Sequence, residues 1–161
     1  MRPDVTWIES PNFTPGRGLA TIDSIVCHNT DGSFESAIDT FKTESSAVSA
    51  HYIVARDGRV VQMVLEKNTA WHAGDRAMNR RSIGIEHEAD KNHTGLTPEQ
   101  EKASLDLIGY LVGKYNIGLS YIHTHRVVDR IAGGTDCPKW VWPTEHDFAV
   151  WKEKIHDHVS H

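Results

Sequence analysis

Cysteine is scarce. Cys27 and Cys137 are the only two in 161 residues, too few for a disulfide framework. Long apolar runs are missing as well: no stretch reaches the roughly 20 residues a membrane helix needs, so no membrane insertion is expected. Met1-Arg2-Pro3-Asp4 leads into no apolar h-region, so no signal peptide is expected. Positive charge is in deficit. Seventeen Lys and Arg stand against 22 Asp and Glu, a formal net charge of −5, which argues against a nucleic-acid partner. With 39% hydrophobic and 24% charged residues the chain reads as globular rather than disordered. Its length suits one domain spanning 1–161. Histidine is the residue in excess, with eleven copies. That directs attention to metal binding and proton transfer.

Residues 1–20, with three prolines and two glycines, read as an extended lead-in. Ile22–His28 has the composition of a first strand. Ser33–Glu44 places Phe34, Ala37, Ile38 and Phe41 on one helical stripe. Ala50–Ala55 and Arg59–Leu65 flank Asp57-Gly58, a hairpin signal. Ser82–Ala89 alternates as a further strand. At Thr97 a helix opens with Pro98 at its first position and Gln100 at the capping-box position. Its apolar face is Leu105, Ile108, Leu111, Val112 and Tyr115. Gly118–Ile122 reads as a short strand or loop. Thr144–Val159 reads as a last helix with Phe148, Trp151 and Ile155 inward, and with Trp140, Trp142 and Trp151 packing its end. Strands with interspersed helices and one hairpin indicate an α/β domain of three layers around a mixed central β-sheet.

Three distant residues form a candidate metal site: His28 at the end of the first strand, His125, and Cys137. Two imidazoles and a thiolate suit a borderline-soft cation such as zinc, and three protein ligands leave a fourth position open. From the residues alone alternatives stand beside this. Cys137 reads equally as an inert buried thiol. His123 competes with His125, since two residues apart on a strand share a face. A blue-copper centre would want an axial Met, and Met1, Met63 and Met78 are distant in sequence. In the strand Ser82–Glu88, Gly84, Glu86 and Glu88 share one face. A carboxylate pointing inward is costly unless paired or used. Glu86 therefore either salt-bridges Arg80 or Arg81 or moves protons, and Glu88 is a support or surface charge.

The run Val48–Gln62, then Ala70-Trp71-His72-Ala73-Gly74, then Asn79–Glu86 with its Ile-Gly-Ile-Glu motif, resembles the zinc-dependent N-acetylmuramoyl-L-alanine amidases. That group includes the AmpD amidases, many phage endolysins and the peptidoglycan recognition proteins. The resemblance spans about Ile22 to Trp142. It implies their fold, one Zn2+ per chain held by His28, His125 and Cys137, and Glu86 as the catalytic group. It also implies a groove in which Trp71 and His72 bind substrate, with Asn79 and Arg80 at its mouth, and it makes His51 a support beside the metal. Two departures stand out. Ala50 occupies a position where some members carry Tyr. Thr135 stands where many carry Lys, leaving the oxyanion donor open among Thr135, Arg130 and Lys139. The loop from His125 to Cys137 is also longer than in AmpD-type members. The implied function is hydrolysis of the amide between N-acetylmuramic acid and L-alanine in bacterial peptidoglycan. A phage or prophage endolysin is preferred, held in the host cytoplasm until released through a holin-type pore. The rivals are a non-catalytic peptidoglycan-recognition module and a cytoplasmic anhydro-muropeptide recycling amidase. A monomer is expected, with no separate cell-wall-binding domain.

Overall fold

The strand Ser24–Asn29 is buried along its whole length, as a strand covered on both faces must be. In the computed structural model, which describes residues 2–159, it is the fifth strand of a six-stranded sheet, with a neighbour on each side. In chain order the strands are β1 (Thr6–Trp7), β2 (Phe13–Thr14), β3 (Ser24–Asn29), β4 (Tyr52–Val54), β5 (Val60–Gln62), β6 (Thr69–Ala70), β7 (Ser82–His87) and β8 (Ile122–Thr124). The helices are α1 (Phe34–Lys42), α2 (Arg76–Arg81), α3 (Pro98–Tyr115), α4 (His125–Val128) and α5 (Glu145–Lys152). The sheet order is β1-β5-β4-β7-β3-β8, and β2 pairs with β6 apart from it. Neighbours β4, β7, β3 and β8 run parallel. β5 is antiparallel to β4 across the Asp57-Gly58 turn, where Gly58 adopts φ 90°. The sheet is therefore mixed, as expected.

Alternation along the strands builds the two outer layers. Ile25, Cys27, Tyr52, Val54, Ile83 and Ile85 face α3 and α5 in one core with Leu107, Ile108, Leu111, Phe148 and Trp151. On the other face Ile53 and Val61 meet Phe34, Ala37 and Phe41 of α1, while Val26 meets Ala73 and Val128. Thr97 accepts from the Gln100 N–H and the Gln100 side chain answers on the Thr97 N–H, completing the capping box.

Several boundaries differ from the sequence reading. The lead-in carries β1, whose residues pair with Val61 and Gln62, and β2, so part of it belongs to the sheets. α2, β6 and α4 had not been anticipated; none exceeds six residues, too short for a period to register. The last helix ends at Lys152 and continues as 3-10 turns through Glu153–His158, which keep Ile155 in the core. Trp142, Trp151 and Phe148 do pack together, but Trp140 lies elsewhere. Among the described residues no helix is long and apolar enough to cross a membrane.

Candidate metal centre and its cleft

Ligands of open α/β sheets gather at the carboxyl ends of the strands, and here four chain segments meet there. β3 delivers His28, and β7 places Glu86 beside it in register. β8 ends at Thr124, and His125 opens α4. His123 stays behind on β8 beside Val26, so the two histidines do not share a strand face and only His125 reaches the cluster. Cys137 arrives from the loop after α4. One ligand atom each from His28, His125 and Cys137 lies within 4.8 Å of the others. The backbone N–H of Asn29 donates to Cys137 Sγ at 3.3 Å, an arrangement that favours a thiolate.

Each imidazole is held from behind. His28 Nε2 lies 2.9 Å from His72 Nδ1. His125 Nε2 lies 3.2 Å from Asp129 Oδ2, an ion-pair distance without hydrogen-bond alignment. Histidine ligands to metals commonly carry such partners on the far nitrogen. The Asp129 side chain is only 6% exposed, and its Oδ1 accepts from the Ile131 N–H at 2.7 Å. It packs against Gly74 (φ +71°), where a Cβ would come within 2.4 Å of Oδ1. Asp129 thus ties His125 to the long loop. The donor set fits a zinc-like cation, because two imidazoles and a sulfur converge.

Glu86 sits at the edge of this cluster. Its Oε1 is 3.9 Å from His28 Nδ1, and its Oε2 has no hydrogen-bond partner among the described residues. The side chain is 12% exposed, and burial pushes its carboxyl up to about 8. The alternative pairing with Arg81 is absent, because Arg81 forks onto Asp23 at 2.8 and 2.9 Å. Glu88 is a support, accepting from the Phe34 and Arg56 N–H groups. Burial also holds His28 and His72 well below the ordinary imidazole range and raises the Cys137 thiol far above the usual thiol range.

Two further buried histidines lie beside the site. His51 accepts from the Gly84 N–H on Nδ1, and burial lowers it to about 3. His87 contacts the His28 carbonyl and Ser104 Oγ, and burial lowers it to about 4. Both fold as neutral rings with an ordinary value near 6.5 when unfolded. Their stability contribution is therefore present above pH 6.5 and lost as pH falls towards 4 and 3. His87 alone should remove on the order of 3 kcal/mol over that window. Urea unfolding at pH 7 and pH 4 measures the slope, and His87→Gln should remove the part that His87 supplies.

Two adjoining cavities open over the cluster, sharing Val48, Trp71, His72 and His125. The larger, about 710 Å³, is lined by Asp75, Arg76, Asn79, Arg80 and Ile131 among others. The smaller, about 300 Å³, holds His28, Glu86, Cys137, Thr135 and Trp140. Trp71 is half-buried, its Nε1 donating to Thr14 Oγ1. Asn79 turns its amide oxygen onto the His72 and Ala73 N–H groups, bracing the loop that carries Trp71. Arg80 is exposed on the cleft wall. Of the three oxyanion candidates only Thr135 reaches the smaller cavity. Lys139 is paired with Asp136 at 2.8 Å, and Arg130 donates its backbone N–H to Gly74. Trp140, expected at the last helix, instead rims the metal cluster with Nε1 donating to Asp31. No sequence signal pointed to Asp129; its spacing of four from His125 on a helical turn was the available clue.

A family model described as N-acetylmuramoyl-L-alanine amidase matches residues 18–140. N-acetylmuramoyl-L-alanine amidase A of Achromobacter lyticus is 41% identical over 66 residues, covering 40% of this chain and 36% of that protein. N-acetylmuramoyl-L-alanine amidase CwlA of Bacillus subtilis (strain 168) is 31% identical over 107 residues, covering 63% and 39%. The chain thus spans well under half the length of these curated relatives. Among solved structures, the catalytic domain of XlyA superposes with a TM-score of 0.76 at 24% identity, over 95% of this chain and 99% of that one.

Proposed function

The chain belongs to the N-acetylmuramoyl-L-alanine amidase family, and from that premise we propose that it hydrolyses the amide joining N-acetylmuramic acid to L-alanine in bacterial peptidoglycan. One observation carries the reading: the ligand atoms of His28, His125 and Cys137 converge within 4.8 Å beside the Glu86 carboxylate, whose buried Oε2 has no hydrogen-bond partner among the described residues. One Zn2+ held by those three residues would supply Lewis acidity towards the scissile carbonyl. Glu86 does the proton work. Its carboxylate accepts a proton from the attacking water and, once protonated, returns it to the leaving amine; its burial favours the protonated form and so eases the first transfer. The smaller cavity seats the scissile amide, and Thr135 in its lining is the candidate donor to the amide oxygen. Trp71 and the exposed Arg80 line the larger cleft, where Arg80 can clamp stem-peptide carboxylates. Asn79 serves the same substrate by bracing the loop that carries Trp71, and the His72 ring lines both cavities while facing His28.

An endolysin role is supported by the relatives' kind. An endolysin from Clostridium intestinale URNW shares the fold at a TM-score of 0.75 over 99% of both chains. A non-catalytic recognition role is disfavoured, because both the sulfur ligand and the proton carrier are present. Purified sacculi incubated with the protein should release stem peptides beginning with L-alanine while the glycan strands stay intact, as read by mass spectrometry. Released glycan fragments, or no fragments at all, would refute the assignment.

A further inference from the structure

We propose that Ser82 and His72 act as positioning residues that set the tautomer of His28, so that its Nδ1 turns a bare lone pair towards the metal. The inference rests on the reading of His28 as a metal ligand. The Met78 carbonyl can only accept, and Ser82 Oγ lies 2.6 Å from it, so the single hydroxyl hydrogen is spent there. Ser82 Oγ is also 3.2 Å from His72 Nε2. It can only accept in that contact, so Nε2 of His72 carries the hydrogen. A neutral imidazole has one N–H, which leaves His72 Nδ1 as an acceptor. The atom 2.9 Å from it is His28 Nε2, which must therefore donate. A hydrogen on both facing nitrogens would set N–H against N–H at that distance. His28 Nδ1 is then unprotonated, and this is the nitrogen 3.9 Å from Glu86 Oε1, on the cluster side of the ring.

The surroundings fix the ring that transmits this order. A Cβ on Gly84 would fall 2.6 Å from His72 Cγ, so His72 lies flat against a strand position that admits no side chain. Asn79 holds the His72 backbone. Ser82, Gly84 and Glu86 occupy alternate positions of β7 and so share one face. One strand edge therefore carries the anchor of the relay, the seat of its ring and the proton carrier.

In zinc-free, 15N-labelled protein, long-range 1H–15N correlation should show His28 and His72 both as Nε2–H tautomers. Ser82→Ala should let His72 exchange between tautomers and weaken Zn2+ binding 10–100-fold in competition with a chromophoric chelator, the usual scale for losing an outer partner. Ser82→Thr, which keeps the hydroxyl, should restore it. An Nδ1–H signal at His28 in the unsubstituted protein overturns the proposal, as does an unchanged zinc affinity in a folded Ser82→Ala. If Ser82→Ala does not fold, the unsubstituted spectrum decides alone. Failure of the unsubstituted protein to bind Zn2+ would instead remove the metal reading, while the tautomer spectrum still judges the relay.

Discussion

Glu86→Gln should leave a folded, zinc-binding protein whose lysis of purified walls falls by 10²–10⁴-fold, the range that positioned proton transfer contributes. The substitution is nearly isosteric. Among the described residues Oε2 has no hydrogen-bond partner to lose, and Oε1 sits 3.9 Å from His28 Nδ1. The amide cannot exchange a proton at neutral pH, so the step from water to leaving amine loses its carrier. Turbidity clearance gives the rate, and metal analysis gives the zinc content. Full activity would remove Glu86 from the chemistry. A second reading comes from stability. The metal-free carboxyl is raised from 4.5 to about 8, so its contribution is complete below pH 4.5 and is lost as pH rises through 8. Glu86→Gln should therefore flatten the decline of metal-free stability across that window.

Removing the metal should have the other large effect. The three ligands come from β3, α4 and the loop beyond it, so an unfolded chain holds no preformed site and zinc binding adds to folding stability. At zinc a thousandfold above its dissociation constant the gain is about 4 kcal/mol. For a chain of this size that corresponds to a melting midpoint about 10 °C higher than in chelator. Lysis of sacculi should stop in chelator and return with zinc. Cys137→Ser, which offers no thiolate, should lose the zinc-dependent shift in scanning calorimetry. Cys137→Asp should keep much of it, since a carboxylate is also a zinc ligand. An unchanged midpoint on adding zinc would contradict the ligand assignment.

Much of this was legible in the sequence because its carriers are local. The α3 capping box, the Asp57-Gly58 turn and the alternation of β3 and β7 each need only a few neighbouring residues, and each recurs in the structure. The candidate metal donors were singled out from their rivals only through motif order, since His28 and Cys137 stand 108 residues apart yet meet across one Asn29 N–H. Two-residue strands such as β1 and β6 carry no period and went unread. So did every relation made by the fold alone: Asp129 behind His125, the Ser82 hydroxyl behind His72, and Trp140 on the rim. His72 shows why. Its place in Trp-His-Ala-Gly indicates a groove, but its ring lies against Gly84, a residue of β7 twelve positions on.

The pairing of His28 with Glu86 across adjacent, buried, parallel strands separates what must stay constant from what can drift. Reagents seated side by side on a rigid floor keep their spacing however the walls above are rebuilt. The segments around Trp71–Arg76 and Asp129–Thr135 supply those walls. Retargeting the cleft to a different cell envelope would therefore start from exposed wall positions such as Arg76 and Ile131, with His72, Asp129 and the floor left as they stand.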